Sequence, residues 1–76
     1  MRKTIAQKKY LVLLRWLKDA RESRGLTIRE LGELIKKPSS FVTKTELGER
    51  RLDIYEYVQY CRALQIDPRE GISLLE

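Results

Sequence analysis

Between Gly25 and Gly48 the chain has room for two helices of about eight or nine residues joined by a tight turn, and for nothing longer. Glycine commonly ends a helix in the left-handed conformation. In the middle of this stretch, Lys37-Pro38 removes a backbone donor and disfavours helical geometry in the residue before the proline. Proline is nevertheless welcome where a new helix begins. The stretch therefore divides into a helix over about Ile28–Lys36, a short turn, and a helix over about Ser39–Leu47 that Gly48 stops. Two short helices at a fixed angle, the second free to enter a DNA major groove, are what this spacing of breakers favours.

The flanks read as helices too. From about Thr4 to Ser23 neither Gly nor Pro intervenes, and Leu13, Leu14, Leu17 and Ala20 recur at steps of three and four, with Gly25 as the left-handed stop. Thr27 and Glu30 form a capping-box pair, after which Leu31, Leu34 and Ile35 supply one apolar face. Asp53 and Glu56 repeat that logic and open a helix with Tyr57, Cys61 and Leu64 on one side. Asp67, Pro68 and Glu70 start a last short helix. The reading is an all-α fold of five helices forming one domain over residues 1–76, with its helix-turn-helix over about 27–47 and an extended first helix.

Charge narrows the class of partner. Sixteen Lys and Arg against eleven Asp and Glu give +5, and the excess lies in residues 1–24 (+6) and 25–52 (+2), whereas residues 53–76 carry −3. Polyanions suit the first two-thirds. A single cysteine, Cys61, precludes an intrachain disulfide, and the absence of histidine removes the usual zinc and acid–base constellations, so neither metal, cofactor nor enzymatic activity is expected. The apolar run Leu11–Leu14 is far below the roughly 20 residues that span a bilayer, which fits a cytoplasmic chain without a membrane partner.

The residues from Gly25 to Pro68 resemble the Cro/cI (Xre) type of phage-repressor helix-turn-helix. The family pattern G-L-T-x-x-E-L stands here as Gly25, Leu26, Thr27, Ile28, Arg29, Glu30, Leu31. Its S-x-x-S-K-x-E-x-G-x-R segment runs from Ser40 to Arg50, with Thr43 in place of the second Ser. The resemblance implies a five-helix repressor-like domain that binds a double-stranded DNA operator, usually as a homodimer, and regulates transcription. It places Ser39, Ser40, Thr43 and Lys44 on the exposed face of the recognition helix as base readers, with a lysine ammonium suited to guanine acceptors and a threonine methyl to thymine. It also implies a partly buried structural ion pair between Arg21 and Glu46. Arg29, Lys36, Lys37, Arg50 and Arg51 are the phosphate-binding candidates.

This sequence departs from the family at several positions. Ile28 stands where a phosphate-binding Gln is common, Gly32 where a small Ala is usual, Lys36 where the turn often has Gly, Thr45 where an apolar residue is usual and Leu47 where a polar one is. Ile28 and Leu47 raise a second reading, an antitoxin-like or accessory protein-interaction module on the same fold with weakened DNA binding. Cys61 reads as a small core residue and the Tyr55, Tyr57, Tyr60 and Trp16 aromatics as core or interface. In the first helix Ile5, Tyr10, Leu11, Val12 and Trp16 exceed what one small core needs, and with Ile72, Leu74 and Leu75 they are expected to form a dimer contact. No small-molecule ligand is evident.

Overall fold

The computed structural model describes the backbone of residues 5–76 and the side chains of residues 7–76. Five helices follow one another: α1 (Ile5–Ser23), α2 (Ile28–Ile35), α3 (Ser39–Glu46), α4 (Ile54–Leu64) and α5 (Pro68–Leu74). The described residues contain no strand, and no helix among them is long and apolar enough to cross a membrane. Thr4, expected in the first helix, and the side chain of Ile5, expected in a dimer contact, lie outside the described residues.

The helix starts are set by local chemistry. Thr27 and Glu30 exchange reciprocal side-chain bonds with each other's backbone N–H, at 3.0 and 2.9 Å, and Asp53 and Glu56 do the same at 2.7 and 3.0 Å. Asp67 accepts from the Arg69 N–H at 2.9 Å.

The ends of the first four helices share one geometry. At each of Gly25, Lys36, Gly48 and Gln65 the backbone turns left-handed and paired bonds close on the preceding turn, as in Lys36 N to Glu33 O (3.3 Å) and Lys37 N to Gly32 O (2.9 Å). Two of these four positions are therefore non-glycine residues with φ near +60°. α2 thus ends at Ile35, with Lys36 as its cap instead of its last residue, and α3 ends at Glu46, with Leu47 as its cap. A side chain in the left-handed region carries a steric cost of roughly 1–2 kcal/mol that glycine avoids, offset in part by glycine's greater freedom when unfolded. Gln65→Gly is expected to raise stability by about 0.5–1 kcal/mol in chemical denaturation; an unchanged or lowered midpoint would contradict this.

One core joins all the longer helices: Leu13, Leu14 and Leu17 of α1, Leu31 and Ile35 of α2, Phe41 and Val42 of α3, and Tyr57, Tyr60, Cys61 and Leu64 of α4. Leu34, expected on the inner face of α2, is instead 56% exposed. Leu31 and Ile35, four apart, take the inward stripe, and Leu34 lies one turn-step outside it. Ile28, expected to sit on the surface, is half-buried and packs against the core.

Thr45 is fully buried, and its hydroxyl donates to the Phe41 carbonyl at 2.7 Å, so a polar group one helical turn from its acceptor replaces an apolar one at little cost. Gly32 has a local reason as well. A Cβ there would lie 2.8 Å from the Lys37 carbonyl oxygen, because the turn backbone folds directly onto α2.

Candidate nucleic-acid interface

α3 divides its eight residues cleanly. Phe41, Val42 and Thr45 are buried, while Ser39, Ser40, Thr43 and Lys44 are all exposed. The exposed four share one side because 39, 40, 43 and 44 are separated by steps of one and four, and the buried set fills the opposite side. α3 begins at Pro38 without a side-chain cap, so its first turn presents backbone N–H groups outward in company with two serine hydroxyls. The structure brings the base-reading candidates together on a short, outward rod braced from behind by α2.

The phosphate candidates differ in how committed they are. Lys36 and Lys37 are exposed at the turn before α3, and Lys37 Nζ stands 5.3 Å from the Phe41 ring centre. Arg29 sits on the first turn of α2, with only a 4.0 Å contact to the exposed Glu33. Arg51, in the loop after α3, is exposed and stacks 4.9 Å over Tyr10 of α1. Arg50 is different. Its two guanidinium nitrogens each donate to a Glu56 oxygen at 2.9 Å, one of them also donates to the Arg51 carbonyl at 2.8 Å, and the group lies 4.3 Å over Phe41.

These contacts leave an electrostatic mark. The Arg50 fork, together with the Asp53 N–H, holds the Glu56 carboxyl down to about 2, and Glu56 in turn raises the Arg50 guanidinium above its ordinary value. At neutral pH the two charges cancel.

At the far end of α3 the structure places Arg21 against Glu46. Arg21 Nε donates to one carboxylate oxygen at 2.6 Å and Nη2 to the other at 3.3 Å, while Nη1 donates to the Leu26 carbonyl at 2.7 Å. Both side chains are more than nine-tenths buried. Glu46 pushes the Arg21 guanidinium up, the hydrogen bond outweighing desolvation. Nearby Tyr60 is buried with a hydroxyl that finds no partner among the described residues, and burial raises its ionisation above the usual phenol range. The pair thus ties the end of α1 to the end of α3 in a dry setting.

Two features were not visible in the sequence. Glu56 reads there only as a cap, whereas it also anchors Arg50. Tyr10 reads as surplus apolar surface, whereas its hydroxyl accepts the Leu52 N–H at 3.3 Å and its ring supports Arg51. Leu47, which the sequence already marks as an apolar residue at a usually polar position, is 64% exposed at the cap of α3. Only the repeated i to i+3 and i+6 spacing of charges around Arg50, Asp53 and Glu56 hints at the first of these.

Away from α3, an apolar groove is lined by Tyr10, Leu13, Leu52, Ile54, Tyr57, Ile72 and Leu75, with Asp53 at its edge. Leu11, Val12, Ile54 and Tyr55 are exposed, Ile54 to 84%. Trp16 and Leu74 are half-buried, and Ile5 falls outside the described side chains. Cys61 is fully buried on the inner side of α4, and burial pushes its thiol up, away from the reactive thiolate. Among the described residues no group of His, Cys, Asp or Glu is arranged to hold a metal ion.

Comparison with known families matches residues 17–71 to a helix-turn-helix family model. Curated proteins give no match. Among solved structures, the XRE-family like protein from Pseudomonas syringae pv. tomato str. DC3000 superposes with a TM-score of 0.87 at 42% identity, over 93% of this chain and 87% of that one. With most of its length matched by the family model and 42% identity to that structure over 93% of its residues, this chain belongs to the XRE-type helix-turn-helix family.

Proposed function

We propose that the protein is a sequence-specific DNA-binding transcriptional regulator that acts as a dimeric repressor, reading a palindromic operator with α3 in the major groove. Its DNA-binding character follows from the family; the finer reading rests on the exposed stripe of Ser39, Ser40, Thr43 and Lys44. Short hydroxyl side chains let the helix lie close to base edges, and Lys44 supplies the longer donor for guanine. Arg29, Lys36, Lys37 and Arg51 flank the stripe as exposed cations for phosphate. Occupancy of the operator is the means of repression. The dimer contact is assigned to the face where α1 and α5 meet, because Tyr10, Ile72 and Leu75 line one apolar groove there with Ile54 beside it. A symmetric pair would set its recognition helices about 34 Å apart, one DNA turn.

Exposed Leu47 favours a second reading, a protein-interaction module on this fold. Selection of duplexes from a random library, with a salt titration, separates the two. An enriched palindrome whose affinity falls steeply with salt is expected. The absence of any enriched sequence would favour the interaction module. Lys44→Ala is expected to weaken binding to the selected site about tenfold and to relax the preference at one position per half-site; retained affinity and preference would remove Lys44 as a base reader.

A further inference from the structure

The loop between α3 and α4 carries two adjacent arginines with opposite commitments. Arg50 is closed on three elements at once. It seats on Phe41 of α3, bonds the Arg51 carbonyl within the loop and grips both oxygens of Glu56 in the first turn of α4. Glu56 is already the acceptor for the Asp53 N–H at the α4 cap, so one carboxylate fixes both where α4 begins and where Arg50 points. Lys37 shares the Phe41 ring and lies within the field of Glu56, which draws the turn before α3 into the same cluster. Arg51 makes no ion pair among the described residues. Its guanidinium is exposed, held over Tyr10, while the Leu52 N–H is bonded to the Tyr10 hydroxyl.

We infer that Arg50 is a positioning residue for the reading helix and not a phosphate ligand: through Phe41 and Glu56 it locks α3 and the following loop in register with α4, leaving Arg51 as the loop's phosphate donor. The inference rests on the DNA-binding reading above. Three considerations support it. A forked, bidentate pair is directional, so it fixes geometry in a way a point charge does not. The Glu56 carboxylate stays ionised far below neutral pH, so the Arg50 charge is cancelled where DNA would be met. Phe41 is buried with the α3 backbone directly behind the exposed stripe, so what moves the ring moves Ser40 and Lys44.

The test compares binding of the full chain to its selected operator and to a scrambled duplex by fluorescence anisotropy across a salt series. Arg50→Gln, Arg50→Lys and Glu56→Gln are each expected to lower the ratio of operator to scrambled affinity about fivefold or more. Glu56→Gln does so although it removes a negative charge, and it keeps a residue able to cap α4. Arg50→Gln leaves the log–log salt slope on the scrambled duplex unchanged, whereas Arg51→Gln lowers it by about 0.9. A phosphate ligand behaves oppositely: Arg50→Gln lowers the slope by about 0.9, Arg50→Lys restores it, and Glu56→Gln tightens binding by freeing the cation. That pattern, or an unchanged ratio in all three variants, overturns the inference while leaving the DNA-binding reading intact. If thermal melts show that Arg50→Gln does not fold, Arg50→Lys and Glu56→Gln carry the same comparison. A wild-type chain that selects no sequence removes the DNA-binding reading and this inference with it.

Discussion

Glu46→Ala is expected to cost about 3–5 kcal/mol of stability, measured by chemical denaturation, and Arg21→Met a similar amount. A domain of 76 residues has roughly 4–11 kcal/mol in total, so either variant approaches the limit of folding. The size follows from burial more than from attraction. Both partners are more than nine-tenths buried, and the two bonds at 2.6 and 3.3 Å are what compensate each charge for leaving water. Removing Glu46 leaves a buried guanidinium with only the Leu26 carbonyl at 2.7 Å and the exposed Glu22 carboxylate at 3.8 Å, among the described residues, to compensate it, and removing Arg21 strands a carboxylate near the buried Tyr60 hydroxyl. The paired variant Arg21→Met with Glu46→Leu, which buries no charge, is expected to be more stable than either single one. A loss below about 1 kcal/mol in both single variants would show the pair to be surface-like. Because the pair joins the last turns of α1 and α3, the single variants are also expected to bind the operator less tightly under conditions where they remain folded.

How far the sequence reached depended on the distance between interacting residues. Capping boxes at Thr27 and Asp53 were legible because both partners lie within one turn, and Gly25 and Gly48 announced their stops by residue type. Lys36 and Gln65 adopt the same left-handed stop without such a signal, so the sequence pattern extends α2 one residue beyond its end at Ile35. The inward stripe of α2 was overcounted at Leu34, since in eight residues periodicity alone does not show which edge of an apolar face a neighbour will cover. Arg21 and Glu46, 25 positions apart, came from family resemblance and not from spacing. For the closure of Arg50 on Glu56 the charge spacing offers no more than a hint, because the contact depends on where a seven-residue connection, 47–53, sets its side chains. On the reading face Pro38 and Gly48 bound α3, but the placing of Ser39, Ser40, Thr43 and Lys44 on its exposed side came from family resemblance.

Gly71→Val is expected to lower stability by about 3 kcal/mol and, for a domain of this size, the melting temperature by about 12–24 °C. A Cβ at this position would fall inside contact distance of the Tyr57 hydroxyl, 2.5 Å from the Trp16 ring and 2.9 Å from a Leu13 methyl. Two of the three are hemmed in. Leu13 and Tyr57 are buried, and the Tyr57 hydroxyl donates to the Pro68 carbonyl at 2.6 Å, so its retreat would break the bond that holds the start of α5. Valine brings a branched Cβ and little of the helix propensity that alanine would add in compensation. The relief open to the chain is for the seven-residue α5 to lift from α1, and that exposes the chain's one tryptophan. Trp16 emission is therefore expected to shift to longer wavelength in the folded variant. The same displacement removes Ile72 and Leu75 from the groove they share with Tyr10 and Ile54, so the proposed dimer, followed by sedimentation, is expected to weaken together with the melt. An unshifted melt with unshifted emission would mean that α5 does not pack through Gly71; a shifted melt with unaltered self-association would move the dimer contact away from α5.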